Sequence, residues 1–245
     1  MSILFRLFKS KRPTEPEPTD TLGHLTHFYS TRCDEDARLL SQHGQVEYLT
    51  TMRYIEKYLR PGMKVLEIGA ATGRYSLTLA RMGYDVTAIE LVQHNINVFK
   101  KKLKPGDQID LQQGNALDLS RFADNSFDMT LLFGPMYHLY TQEDQSRVLS
   151  EALRVTKPGG LLYVAYVISD ITLHHMGFTK GRLEDWIAKG MIDPETFRCF
   201  SQPKDLFQLY RREDVEALTV PLSCQRLHYV ATDGLMEMPL IPSII

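Results

Sequence analysis

The amino-acid sequence predicts an α/β protein with a doubly wound, mostly parallel sheet that helices cover on both faces. Residues 65–68 form a short aliphatic run, Val-Leu-Glu-Ile, which is typical of a strand buried on both faces. A glycine turn at residues 69–73 follows this run and leads into a segment with helical spacing. Four further strand-like segments come at the spacing of successive βα units, so the sheet is predicted to be parallel.

The later segments support the same order. The second strand ends in a carboxylate, Glu90, and the third leads into a loop that contains Asn115. A Lys-Pro-Gly-Gly sequence at residues 157–160 indicates a turn before the fifth strand. The predicted strands are residues 65–68, 86–90, a stretch that starts at residue 109, then 127–133, 161–167 and 224–231.

The glycine turn is the first candidate for a cofactor site. Gly69 and Gly73 let the backbone turn tightly and come close to a ligand. A dinucleotide fingerprint would need glycines where the chain has Ala71 and Arg74. The sequence therefore argues against an NAD site.

Two later positions complete a nucleoside site. Glu90 lies about twenty residues after Gly69, where a carboxylate can accept both ribose hydroxyls, and this requires an unphosphorylated ribose. Asn115 could bond a purine amino group, while the amide of Ala116 meets a ring nitrogen.

On these residues the chain resembles the class I S-adenosylmethionine-dependent methyltransferases, over roughly residues 29–231. Glu-x-Gly-x-Ala-x-Gly at residues 67–73 is similar to the family's first motif, and Glu90 is similar to its second-strand acid. Gly-Asn-Ala at residues 114–116 is similar to the adenine loop, and Leu-Arg-Val-Thr-Lys-Pro-Gly-Gly at residues 153–160 to the approach to the fifth strand.

The resemblance implies a Rossmann-like fold with the methyltransferase strand order, S-adenosyl-L-methionine as cofactor and S-adenosyl-L-homocysteine as product. The family usually has Gly at Ala71 and Asp at Asn115, so we expect somewhat altered affinity rather than a lost site. An aromatic residue of the N-terminal cap, Tyr29, either closes over the methionine end of the cofactor or packs against the sheet edge. The cofactor-binding residues implied in this way are Glu67, Gly69, Ala70, Ala71, Gly73, Glu90, Leu91, Asn115, Ala116, Phe133 and Tyr29.

Composition and periodicity predict five parts along the chain. The apolar block near the N-terminus is far shorter than the about 20 residues of a membrane span, so we expect no stable membrane association. The parts are a disordered tail (1–20), a helical N-terminal cap (21–60), a cofactor-binding core (61–168), a helical lid (169–208), and a last helix, sixth strand and short tail (209–245).

The C-terminal part departs most from the family pattern. A seventh, antiparallel strand would normally insert between the fifth and sixth strands, but residues 234–245 contain Pro239 and Pro242 and make a poor internal strand. Either the sheet lacks this strand or another chain supplies it, as in a homodimer, and a sixth strand alone would expose an unpaired edge.

The candidate catalytic residues follow the fourth strand. If the acceptor must lose a proton, His138 is the candidate general base and Tyr137 the residue that orients the acceptor; a structural role for His138 stays open.

The apolar and aromatic side chains of the predicted lid suggest one wall of a pocket for a small organic acceptor, methylated on N or O, although packing alone would also explain them. The alternatives are a nucleic-acid or protein methyltransferase and a cofactor-binding protein without catalysis.

Composition argues against a nucleic-acid-binding protein, a disulfide framework and a metal site. A formal net charge of -2 gives no overall attraction to nucleic acid, and 43% hydrophobic with 24% charged residues is ordinary for a globular protein. Cys33, Cys199 and Cys224 are odd in number and widely spaced, which favours reduced thiols in a cytoplasm. The adjacent His174 and His175 lack nearby carboxylate or Cys partners, so no metal site is predicted.

Overall fold

Residues 21–232 are described by the structure, a computed structural model. The predicted tail at residues 1–20 and the proline-containing stretch after residue 233 lie outside the described residues.

A five-stranded parallel sheet forms the centre and confirms the predicted fold class, with the strand order β3-β2-β1-β4-β5. The order reverses between β1 and β4, and ligands of open α/β sheets bind at such a switch point. The strands are β1 (Lys64–Ile68), β2 (Asp85–Glu90), β3 (Ile109–Gln113), β4 (Phe127–Leu132) and β5 (Thr156–Val164).

Alternating side chains of β1 pack on opposite faces of the sheet. Val65 belongs to one buried cluster with Leu79 of α4 (Arg74–Arg81), whereas Leu66 belongs to another with Val148 of α6 (Gln142–Val155). A third helix, α5 (Gln93–Lys102), follows β2. Because β1 is buried on both faces, it is aliphatic at every position from Val65 to Ile68 except Glu67.

Helices precede the sheet, as the sequence predicts for the N-terminal region. Asp34 and Ser41 begin the second and third helices by accepting hydrogen bonds from the amides of Ala37 (3.0 Å) and Gly44 (3.1 Å). The helices are α1 (Thr21–Thr31), α2 (Glu35–Leu40) and α3 (Gln42–Glu56).

The segment between β5 and the last helix contains elements that were not predicted from the sequence. Two short parallel strands, β6 (Val167–Ile168) and β7 (Leu209–Tyr210), pair with each other and join its two ends. Between them lie α7 (Ser169–Thr172), a π-helical segment (Leu173–Thr179) and α8 (Leu183–Ala188). The predicted helices near residues 183–189 and 211–218 are confirmed as α8 and α9 (Arg212–Thr219).

The predicted sixth strand at residues 224–231 is wrong, because these residues form no strand. Its side chains make other contacts: His228 lies beside the rings of Tyr54 and Tyr58, and its Nε2 shares a 2.7 Å hydrogen bond with the Tyr58 hydroxyl. Within the described residues the sheet ends at β5, and a homodimer that completes it stays a prediction. The Lys-Pro-Gly-Gly sequence is also not a turn before β5 but an irregularity within it.

Residues 21–232 contain no helix that is both long and apolar enough to cross a bilayer.

Candidate active site

The loop from β1 to α4 lies at the switch point of the sheet. Gly69 has φ +84°, and a Cβ there would lie 2.1 Å from the carbonyl oxygen of Phe133 and 2.8 Å from Cδ of Pro135. The loop after β1 therefore touches the loop after β4, and only glycine permits this approach. Gly73, with φ +86°, instead packs on the buried ring of Phe99 and begins α4.

Ala71 adopts the left-handed backbone conformation, with φ +46°. This conformation costs a residue with a Cβ about 1 to 2 kcal/mol. The Ala71 amide donates a 2.8 Å hydrogen bond to Oε2 of Glu90, which helps to hold the strained turn.

We expect Ala71→Gly to raise the free energy of unfolding by about 0.5 to 1 kcal/mol, because relief of strain exceeds the entropy that glycine adds to the unfolded chain. Urea denaturation followed by circular dichroism measures the change. The control is Ala70→Gly, since Ala70 is buried and has no positive φ. The control should destabilise, and a destabilised Ala71→Gly variant would contradict the strain argument.

Glu90 ends β2 with its carboxylate almost fully buried. Its Oε1 accepts hydrogen bonds from the amide of Val92 (2.8 Å) and from Nδ2 of Asn95 (3.2 Å), and its Oε2 accepts from Ala71. Burial raises the pKa of Glu90, while these three donors act in the opposite direction.

Glu67 lies beneath the glycine loop, where its carboxylate accepts hydrogen bonds from the amide (2.9 Å) and the hydroxyl of Ser76 in α4. Complete burial raises the pKa of Glu67 to about 8. These contacts tie the end of β1 to the first turn of α4, so the acid supports the loop from below.

The loop after β3 lies beside Glu90. The side-chain oxygen of Asn115 accepts a 3.0 Å hydrogen bond from the amide of Leu117, which leaves one of its two lone pairs for a ligand. The carbonyl of Leu91 accepts from Nε2 of Gln113 (3.0 Å).

His138 is held from two sides in the 3₁₀ turn that follows β4. Its Nδ1 donates a 2.8 Å hydrogen bond to the carbonyl of Leu206, because a carbonyl can only accept. Its Nε2 consequently carries the lone pair, and the Tyr29 hydroxyl donates to it at 2.9 Å. Burial lowers the pKa of His138 to about 4, so the imidazole is neutral at pH 7.

Aromatic rings surround this imidazole. Tyr137 and Phe207 lie with ring centroids 4.9 Å and 5.3 Å from His138, and Phe28 contacts both Tyr29 and Phe207. Burial raises the pKa of the Tyr29 and Tyr137 hydroxyls, so both remain protonated donors. Residues from α1, from the turn after β4 and from the segment before β7 thus meet at one histidine.

Charged side chains of the cap also lie near these rings, and no pattern in the sequence indicated them. Arg38 binds Glu35 through Nε and Glu47 through a terminal nitrogen, each at 3.0 Å. A distance of three residues on a helix allows the first pair, but only the folded cap brings in Glu47.

A separate polar cluster joins the cap to the loop after β1. Asp36 of α2 accepts hydrogen bonds from the hydroxyl of Thr72 and from Nζ of Lys102, and Lys102 also donates to the carbonyl of Thr72 at 3.0 Å. The Lys102 and Asp36 side chains are about one third exposed, so solvent reaches this ion pair.

Almost all of the candidate residues line one open cleft with a volume of about 2290 Å³. Gly73 is the exception and lies behind the loop on Phe99. The candidate residues that line the cleft are Tyr29, Glu67, Gly69, Ala70, Ala71, Glu90, Leu91, Asn115, Ala116, Phe133, Tyr137 and His138.

Within residues 21–232, no group of three or more His, Cys, Asp or Glu side chains could hold a metal ion.

Comparison with known proteins gives consistent matches. Residues 66–164 match the family described as a methyltransferase domain. A ubiquinone biosynthesis O-methyltransferase of Methylocella silvestris is 30% identical over 183 residues, which cover 73% of this chain and 68% of that protein. A solved structure of a SAM-dependent methyltransferase from Methanosarcina mazei is 26% identical, with a TM-score of 0.53, over 69% of this chain and 82% of that one.

Some relatives match over a shorter region. A demethylmenaquinone methyltransferase of Renibacterium salmoninarum is 42% identical over 106 residues, which cover 43% of this chain and 41% of the relative. The chain thus spans less than half the length of this relative.

Proposed function

This chain belongs to the class I S-adenosylmethionine-dependent methyltransferases, and we propose that it transfers a methyl group to an oxygen or nitrogen atom of a small organic acceptor. The observation that carries the proposal is that Glu90 ends β2 and the neutral imidazole of His138 follows β4, the two strands that flank β1, so both lie at the carboxyl edge of the sheet beside the glycine loop.

The residues of the cleft fit the cofactor. Glu90 offers a carboxylate for ribose hydroxyls, and Asn115 keeps a lone pair for a purine amino group. The methylated sulfonium of S-adenosylmethionine would supply a methyl group that is already activated for displacement. The chain's own task is therefore to bind, to align the acceptor and to exclude water.

The acceptor side is built by Tyr29, Tyr137, His138 and Phe207. The aromatic rings suit a flat or apolar acceptor, and the hydroxyls orient its polar atom. Neutral His138 can take the acceptor's proton at Nε2 once the Tyr29 hydroxyl moves aside, and the Leu206 carbonyl keeps its other nitrogen protonated. The relatives named for ubiquinone and demethylmenaquinone methylation support a small-molecule acceptor over nucleic acid.

The second candidate function is a cofactor-binding protein without catalysis, and the observation that favours it concerns the C-terminal region. Residues 224–231 do not extend the sheet, and β5 pairs with β4 alone among the described strands. Cofactor binding without methyl transfer to any probe would favour this candidate. A cytoplasmic location stays a prediction from composition.

We expect Glu90→Ala to weaken binding of S-adenosylhomocysteine by about 1 to 3 kcal/mol, because a charge-assisted hydrogen bond to the ribose is lost. Calorimetric titration measures the dissociation constant. Asp110→Ala, which removes an exposed carboxylate of β3, is the control and should bind like the wild type.

Transfer of labelled methyl from S-adenosylmethionine to catechol, 4-hydroxybenzoate and phenethylamine then tests the acceptor class. A folded Glu90→Ala variant with unchanged affinity would reject the proposed cofactor site. Methylation of RNA or protein, with none of any small phenol or amine, would reject the proposed acceptor class.

A further inference from the structure

The carboxylate of Glu90 has fewer free acceptor positions than a ribose needs. A carboxylate offers about four lone-pair sites, two on each oxygen. The amide of Val92 and the side chain of Asn95 fill both sites on Oε1, and the amide of Ala71 fills one on Oε2. One site remains, whereas a ribose presents two adjacent hydroxyl donors.

Of the three donors, Asn95 is the one that can withdraw. The Val92 and Ala71 amides belong to the backbone of the loops after β2 and β1, so their positions are fixed by the fold. Asn95 donates from a side chain in the first turn of α5, and its 3.2 Å hydrogen bond is longer than the 2.8 Å bonds of the two amides. Asn95 is buried and lines the cleft, so its amide is next to the space that a ligand enters.

The charged surroundings of Glu90 make this donor important. Glu35 of α2 repels the ionised carboxylate, and Glu67 of β1 lies close enough to interact with it. The Tyr137 hydroxyl, in the turn after β4, also interacts with Glu90. Burial and the charge of Glu35 disfavour the ionised form of Glu90, and the three hydrogen bonds oppose them.

We propose that Asn95 is a positioning residue that occupies an acceptor site on Glu90 in the free protein and yields it to a ribose hydroxyl of the cofactor. The inference rests on the proposed function, because it assumes a ribose at Glu90. Asn95 thus keeps the carboxylate ionised and correctly oriented before the cofactor arrives, and binding exchanges one donor for another instead of stripping water from a buried charge.

The test measures the dissociation constant of S-adenosylhomocysteine across about pH 5.5 to 8.5, a range that lies above the ordinary pKa of a glutamate carboxyl. The variant is Asn95→Leu, which removes the donor at similar volume, with Asn95→Ala as a second variant that adds no apolar bulk. The control is Asn97→Leu on the exposed face of the same helix, where Asn97 accepts from Gln93. Thermal unfolding at each pH verifies that every variant is folded.

Without Asn95 the pKa of free Glu90 should rise further, so the loss of affinity on acidification should begin at higher pH. We expect Asn95→Leu to bind roughly tenfold more weakly than wild type at the acidic end, the order of magnitude of one hydrogen bond to a charged group. At the alkaline end it should bind equally or more tightly, because no donor must be displaced. In a Glu90→Gln background the same substitution should leave the profile unchanged.

Superimposable profiles of the wild type and both Asn95 variants would overturn the inference while leaving the proposed function intact. An equal displacement in Asn97→Leu, or in the Glu90→Gln background, would also overturn it. Failure of the wild type to bind S-adenosylhomocysteine at any pH would overturn the cofactor site and this inference together.

Discussion

Replacing Gly69 by alanine is expected to destabilise the folded protein by roughly 2 to 5 kcal/mol, the sum of left-handed backbone strain and overpacking. The added Cβ would lie 2.1 Å from the Phe133 carbonyl oxygen, which belongs to the backbone and cannot rotate away. The loops after β1 and β4 would have to separate, and affinity for S-adenosylhomocysteine should fall with stability. Urea denaturation and calorimetry measure the two effects.

Gly83→Ala separates the two causes of this loss. Gly83 has φ +94°, but a Cβ there meets no heavy atom within 4 Å. This variant carries the backbone strain without the clash, so it should cost only about 1 to 2 kcal/mol and keep wild-type affinity. Equal destabilisation by both substitutions would show that the contact between the two loops is unimportant.

Replacing His138 by asparagine is expected to lower kcat by a factor of about 10² to 10⁴ for an acceptor that must lose a proton, the usual contribution of a general base. Asparagine can still donate to the Leu206 carbonyl, but it lacks the basic Nε2. The dissociation constant of S-adenosylhomocysteine should change little. His94→Asn, at an exposed position on α5, is the matched control.

The pH profile distinguishes a base from a structural histidine. A pKa of about 4 keeps His138 neutral in the free enzyme, so kcat/KM should decline only as the pH falls towards 4, not near the 6.5 of an ordinary histidine. Before the acceptor binds, the Tyr29 hydroxyl donates to the Nε2 lone pair and favours the neutral form, so Tyr29→Phe should raise the pKa of His138 and move the decline of kcat/KM to higher pH. If His138→Asn retains wild-type kcat and only raises KM, the histidine is structural.

The sequence predicted the core strands well because their burial leaves a direct signature. β1 and β4 are covered on both faces, so each appears as an apolar run, and Glu90 follows from its spacing after Gly69. Residues 224–231 form no strand: their apolar Leu227 and Tyr229 follow the polar Arg226 and His228 in alternation, but His228 packs against Tyr54 of α3. Two-residue strands such as β6 are too short to produce any periodicity.

The positions of the candidate site residues could be predicted only where those residues follow strands. Tyr137 and His138 come directly after β4, so their place at the switch point could be expected. The partners of those residues could not be, because the Leu206 carbonyl lies 68 positions away and Tyr29 lies 109 positions away in the chain. The proposed role of Asn95 could not be predicted from the sequence, because it depends on how many donors contact the Glu90 carboxylate in three dimensions.

The link between Asp36, Thr72 and Lys102 makes the cap respond to its medium differently from the core. The core is held by apolar contacts, which ordinary salt hardly weakens, whereas this ion pair is partly exposed and lies within reach of mobile ions, whose screening length is about 8 Å at physiological ionic strength. We therefore expect rising ionic strength to weaken this ion pair between cap and loop, while the apolar contacts of the sheet hardly change. The attachment of the N-terminal cap should thus depend on the salt concentration of the solution, whereas the central sheet should not.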